Sequence, residues 1–186
     1  MSLHTTAAAV HTARDPGVRL VLIGMMGSGK SSVGRALSGR TGWPFVDNDA
    51  LVERVTGMTA RQLLEERGAG AMRRAEADAL VAGIRLAPPV VVAVAAGTIL
   101  DAGLRALIAG AGFVAWLRAP APVLAARAVG AAHRPWLDDD PLGWFERAAA
   151  ERDPLYASVA DVEVDTATAS PSQAAEAFLR AATIGP

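Results

Sequence analysis

Short apolar runs alternate with longer stretches of helical spacing along this chain, the pattern of strand and helix units wound around a buried parallel sheet. Val18 to Ile23, Pro44 to Val46, Val90 to Ala95, Phe113 to Leu117 and Val159 to Val164 are the strand candidates. Most are continuously apolar rather than alternating, as expected where both faces of a sheet are covered. Segments 30–40, 49–55, 59–85, 101–109, 121–129, 141–151 and 171–182 have helix-compatible composition. The long third segment should break near Gly68 to Gly70. The predicted class is α/β, a three-layer arrangement with a five-stranded parallel sheet and helices on both faces.

A chain of 186 residues, 52% of them hydrophobic, is enough for one core, so residues 18–186 are expected to form a single domain. Residues 1–17 lack both the basic start and the apolar centre of a signal peptide and are expected to be a disordered leader. Between two helical segments, residues 130–141 hold Gly130, two prolines, His133, Arg134 and the acidic run Asp138 to Asp140, the composition of an exposed, mobile loop.

A formal net charge of -1 provides no basic field for a nucleic acid or an anionic membrane surface. The longest apolar stretches, 86–100 and 106–117, are interrupted and fall short of the roughly 20 residues that cross a bilayer. With no cysteine, there is no disulfide framework, thiolate metal site or thiol nucleophile, which fits a cytoplasmic protein. The histidines are scattered, without metal-ligand spacing.

Residues 24–31 read GMMGSGKS, a full match to G-x-x-x-x-G-K-[ST], directly after a strand candidate and directly before a helical segment. Glycines at this spacing let backbone amides close on phosphate oxygens, and the helix aims its positive end at the same point. Lys30 can reach the β- and γ-phosphates, and the Ser31 hydroxyl is placed for the Mg²⁺ that bridges them. Gly27, Ser28, Gly29, Lys30, Ser31 and Ser32 form the candidate nucleotide-binding set, although local packing or capping is the favoured use of Ser32. The loop specifies nucleotide binding and leaves the reaction open, because kinases, ATPases and GTPases share it.

After the second strand candidate comes Asp47-Asn48-Asp49, whose two carboxylates at i and i+2 can point the same way from a strand end. One suits a metal and the other a substrate. Capping of the next helix is the competing use for one of them, Asp49 in particular.

From the phosphate loop onward the chain resembles the shikimate kinase family. The resemblance continues through Asp47-Asn48-Asp49, Glu53 and Thr56-Gly57 to Arg73-Arg74-Ala75-Glu76, Arg134-Pro135-Trp136-Leu137 and Arg152-Asp153-Pro154-Leu155-Tyr156, covering roughly residues 18–166 in order. It implies a nucleoside-monophosphate-kinase-like P-loop fold with an acceptor-binding segment at about 49–80 and a lid at about 130–141. It also implies ATP and Mg²⁺ as cofactors and a small anionic hydroxylated acceptor; the chain is expected to be a monomer. By resemblance, Asp49 holds the acceptor hydroxyl and takes its proton, and Asp47 supports Mg²⁺ through water. Arg73 and Arg152 grip the acceptor carboxylate, a role suited to the planar fork of guanidinium. Arg134 neutralises the phosphoryl group from the lid, Arg127 packs on adenine, and Gly97 lets the backbone approach the acceptor.

The chain also departs from the family pattern. Three consecutive glycines are usual after the third strand, and here the sequence is Ala95-Ala96-Gly97. An added methyl there either crowds the ligand or penalises a positive-φ backbone by roughly 1–2 kcal/mol. The usual Gly-Glu before the arginine pair is Gly68-Ala69, and the aromatic wall positions look like Leu64 and Met72. Such a pocket is aliphatic and more pliable. Kinases for another small polyol or cyclic hydroxy acid therefore stay open. A gluconate-kinase-like reading is weaker, since the segment after Asp49 lacks that family's His and Lys-Met pattern. A nucleotide-binding regulatory protein without turnover is the remaining alternative, opposed by Asp49, Arg73, Arg134 and Arg152 together.

Overall fold

A computed structural model describes residues 18–129 and 140–182. Strands β1 (Arg19–Ile23), β2 (Phe45–Asp47), β3 (Val90–Ala93), β4 (Phe113–Arg118) and β5 (Val162–Asp165) form one sheet in the order β2-β3-β1-β4-β5. Every pairing is parallel, as the apolar runs predicted. The helices are α1 (Lys30–Thr41), α2 (Asn48–Thr56), α3 (Ala60–Ile84), α4 (Ala102–Ala109), α5 (Ala121–Val129), α6 (Pro141–Ala157) and α7 (Pro171–Ala181), with a 3-10 turn at Ala96–Leu100.

Side chains of β1 alternate between two cores. Leu20 and Leu22 join Leu37 of α1 and Phe178 of α7 on one face. Val21 and Ile23 join Ile108 of α4, Leu124 of α5 and Phe145 of α6 on the other. All four are buried residues of a strand covered on both sides, which explains why the run shows no polar alternation. A satellite cluster of Val52, Leu63 and Ala79, with Leu51, Met58 and Met72 against it, joins α2 to α3.

Three boundaries differ from the sequence reading. Helix α6 continues past residue 151 to Ala157, carrying Pro154 inside it. The amides of Val159 and Ala160 donate to the Tyr156 carbonyl, so they close α6 and β5 begins only at Val162. The apolar stretch ending at residue 100 divides into β3 and the 3-10 turn. The predicted break in α3 lies at Gly68, whose φ of 79° and ψ of 169° depart from helical geometry. Among the described residues, no helix is long and apolar enough to cross a membrane.

Candidate active site

Both β3 and β4 flank β1, so the chain leaves β1 at a point where connections run to opposite sides of the sheet, the usual ligand crevice of an open α/β fold. The phosphate loop occupies this point. Gly27 at φ 77° and Gly29 at φ 92° supply the left-handed turns that bring the chain into α1. A β-carbon on Gly24 would lie 2.4 Å from the Leu117 carbonyl oxygen, so β4 itself limits this position to glycine. Lys30 Nζ donates to the carbonyls of Gly24 at 2.8 Å and Met25 at 2.9 Å. The Ser28 hydroxyl is fully buried and has no hydrogen-bond partner among the described residues.

A cleft of about 430 Å³ opens beside the loop, lined by residues 27–33, Arg127, Thr166, Ala169 and Pro171. It collects every residue of the predicted nucleotide-binding set, Ser32 included. The Arg127 guanidinium lies across its edge, donating to the carbonyls of Gly27 at 3.2 Å, Thr166 at 2.7 Å and Ala167 at 3.3 Å.

The two aspartates divide their work. Ser31 Oγ donates to Asp47 Oδ2 at 2.5 Å, and Asp47 Oδ1 accepts the Asp49 amide at 3.1 Å as the cap of α2. Capping thus falls to Asp47, and the exposed Asp49 side chain is not used for it. Among the described residues, no group of three or more His, Cys, Asp or Glu side chains is arranged to hold a metal ion. The adjacent Ser31 and Asp47 oxygens nevertheless fit Mg²⁺, which takes one or two protein oxygens and completes its shell with phosphates and water.

Among the residues expected to bind the acceptor, the half-buried Glu76 carboxyl is central, a residue to which the sequence reading gave no role. Its pKa is pushed up to about 7, first by burial and then by the Asp49 carboxylate, while Arg73 and Arg152 pull it down. Asp49, Arg73 and Arg152 therefore act on one carboxyl from three different helices. A β-carbon built on Gly97 would stand 3.6 Å from Glu76 Oε2, which brings the fourth predicted acceptor residue to the same place. The available signal was spacing, because Arg73 and Glu76 at i and i+3 share a helix face.

Arg152 has its guanidinium carbon 5.5 Å from the centroid of the Trp144 ring, and its Nε is 3.7 Å from Glu151 Oε2. Beside it the buried Tyr156 hydroxyl donates to the Ala96 carbonyl at 2.9 Å. Burial pushes the Tyr156 phenol further up, against the pull of Arg152.

The Ala95-Ala96-Gly97 loop carries no backbone penalty. Ala95 is extended at φ -61° and ψ 137°, Ala96 starts the 3-10 turn, and Gly97 is not among the positive-φ glycines. Thr98 fixes the bend by donating from its hydroxyl to the Ala95 carbonyl at 2.7 Å. Of the anticipated wall, Met72 packs into the α2–α3 cluster. Arg134, like the rest of 130–139, lies outside the described residues.

Comparison with known proteins gives the same direction. The shikimate kinase family model matches residues 26–183. The shikimate kinase of Symbiobacterium thermophilum is 41% identical over 152 residues, 80% of this chain and 87% of that protein. The shikimate kinase of Xanthomonas campestris pv. campestris is 38% identical over 170 residues, covering 90% and 94%. Among solved structures, shikimate kinase from Acinetobacter baumannii in complex with shikimate superposes with a TM-score of 0.82 at 31% identity, covering 88% of this chain and 91% of that one. A gluconokinase from Sinorhizobium meliloti shares the fold at a TM-score of 0.60 and 24% identity. A family model that runs from the phosphate loop to the end of the last helix, together with relatives this similar over at least four fifths of the chain, shows that the protein belongs to the shikimate kinase family.

Proposed function

We propose that this protein transfers the γ-phosphoryl group of ATP to a hydroxyl of shikimate, giving shikimate 3-phosphate and ADP. The observation that carries this reading is the grouping of Asp49, Arg73, Arg152 and Gly97 around Glu76, at the sheet end that also bears the phosphate loop. The A. baumannii relative, solved with shikimate, supports the choice of acceptor.

In this reading the acceptor hydroxyl oxygen attacks the γ-phosphorus in line, and the bond from that phosphorus to the β–γ bridging oxygen breaks. Asp49 orients the hydroxyl and takes its proton as the new ester bond forms. Lys30 exchanges its two loop carbonyls for β- and γ-phosphate oxygens, and the N-terminus of α1 adds its positive end. Ser31 and Asp47 would hold Mg²⁺, which when bound neutralises charge between the β- and γ-phosphates. Arg127 borders the base, together with Thr166, Ala169 and Pro171 of the same cleft. Arg73 and Arg152 take the acceptor carboxylate, fixing the ring so that the reacting hydroxyl meets the phosphorus. Catalysis then rests on positioning and charge neutralisation, with no covalent intermediate on the protein. A cytoplasmic monomer completes the reading.

The test is coupled ADP release with MgATP, with and without shikimate, using Lys30→Ala as the blank. Saturable, shikimate-dependent release is expected. Saturable turnover with a different hydroxy acid and none with shikimate would transfer the assignment to that acceptor, a result for which the aliphatic Leu64 and Met72 positions leave room.

A further inference from the structure

Arg152 presents a problem of orientation. Its Nε is buried without a hydrogen-bond partner among the described residues, and the nearest carboxylate oxygen, on exposed Glu151, is 3.7 Å away, beyond hydrogen-bonding range. A guanidinium that must offer two parallel N–H groups to a carboxylate needs its plane fixed, because a rotated fork loses one of the two bonds.

Trp144 is in place to fix it. The Arg152 guanidinium carbon lies over the indole, 5.5 Å from the ring centroid, within the range of a cation–π contact. The indole is itself anchored, packed edge-on at 87° and 5.0 Å against Phe145, which is fully buried in the core. Eight residues separate Trp144 from Arg152, about 12 Å of helix rise, so the arginine runs back along α6 toward the helix start.

We propose that Trp144 is a positioning residue for the acceptor carboxylate, its ring face setting the plane in which Arg152 presents its paired N–H groups. The proposal rests on the reading of Arg152 as a carboxylate ligand. It separates two properties that a positive charge alone would merge. The charge draws the acceptor, and the indole decides how well a planar carboxylate fits once there. Loss of the ring leaves phosphoryl transfer intact at saturation and weakens the grip on the acceptor.

The experiment compares steady-state constants for shikimate and ATP in Trp144→Leu, Trp144→Phe, Arg152→Lys and the Trp144→Leu/Arg152→Lys double variant, with thermal midpoints for each. Trp144→Leu is expected to raise the shikimate KM about fivefold, with kcat and the ATP KM within about twofold of wild type. Trp144→Phe, which keeps an aromatic face, is expected to recover most of that loss. In the Arg152→Lys background, which lacks the planar fork, the leucine substitution is expected to add little. A raised KM in Arg152→Lys with an unchanged one in Trp144→Leu would overturn the positioning role and leave the Arg152 reading standing. An unchanged KM in Arg152→Lys would overturn both. Equal losses in the Leu and Phe variants, or a parallel rise in the ATP KM with a fallen thermal midpoint, would reduce Trp144 to packing.

Discussion

Replacing Glu76 with glutamine should change how the protein's stability depends on pH, by an amount that follows from the carboxyl's surroundings. In the folded protein the pKa stands at about 7, against an ordinary 4.5, with burial the largest cause and the Asp49 carboxylate the next. The folded state therefore binds this proton more tightly than the unfolded chain does. Stability from this site is fully present below about pH 4.5 and is lost as pH rises through about 7. Each pKa unit is worth about 1.4 kcal/mol, which sets an upper limit of about 3.5 kcal/mol, and screening at the carboxyl's exposed edge reduces this to about 2 kcal/mol. Glutamine keeps the shape and cannot titrate. Urea unfolding at about pH 5, 6.5 and 8 should show the wild type losing about 2 kcal/mol more than Glu76→Gln across the interval, with unchanged m values. Parallel stability profiles would mean that the carboxyl is already ionised at about pH 5, and the burial argument would be wrong. A variant that loses more than the wild type as pH rises would mean that Arg73 and Arg152 dominate the site.

Lys30→Ala should abolish measurable ADP release, a loss of at least about a hundredfold, and activity within about tenfold of wild type would contradict its place on the phosphates. Asp49→Asn should reduce kcat by about two to four orders of magnitude while ATP affinity, measured by titration calorimetry, stays near wild type. Equal loss of ATP affinity would refute its acceptor-side role. Gly34→Ala should destabilise the fold by about 1–3 kcal/mol, because the new β-carbon would meet the Phe45 ring at 2.2 Å. An unchanged urea midpoint would show that Phe45 moves aside freely.

What the sequence revealed, and what it hid, follows physical lines. The inner strands were readable because a doubly covered parallel strand is almost wholly apolar, while the edge strand β5, with exposed Glu163 and Asp165, was misplaced at its start. The phosphate loop was readable because its glycines stand where β4 and the start of α1 require them. The extension of α6 was hidden by Pro154, which removes only one amide from the helix and is tolerated here beside the buried anchor Tyr156. The supposed strain at Ala95 was an inference from glycine's freedom, and an extended alanine has no use for that freedom. Glu76 and Trp144 escaped because their roles depend on neighbours from other helices or eight residues distant. The spacing of Arg73 and Glu76 puts them on one helix face, but neither the burial of Glu76 nor the stacking of Arg152 on an indole leaves a mark on local spacing.

The phosphate loop has one further consequence. Lys30 already satisfies the carbonyls of Gly24 and Met25, so its ammonium acts as an internal tie that keeps the loop in shape between turnovers. An arriving triphosphate does not organise a slack chain. It takes over a partner that the backbone was using, and the carbonyls that Lys30 leaves must turn to water or to neighbouring amides. The measured affinity for nucleotide is therefore the difference between two sets of bonds to the same charge, and product release is assisted by the backbone's claim on the lysine as the phosphates depart.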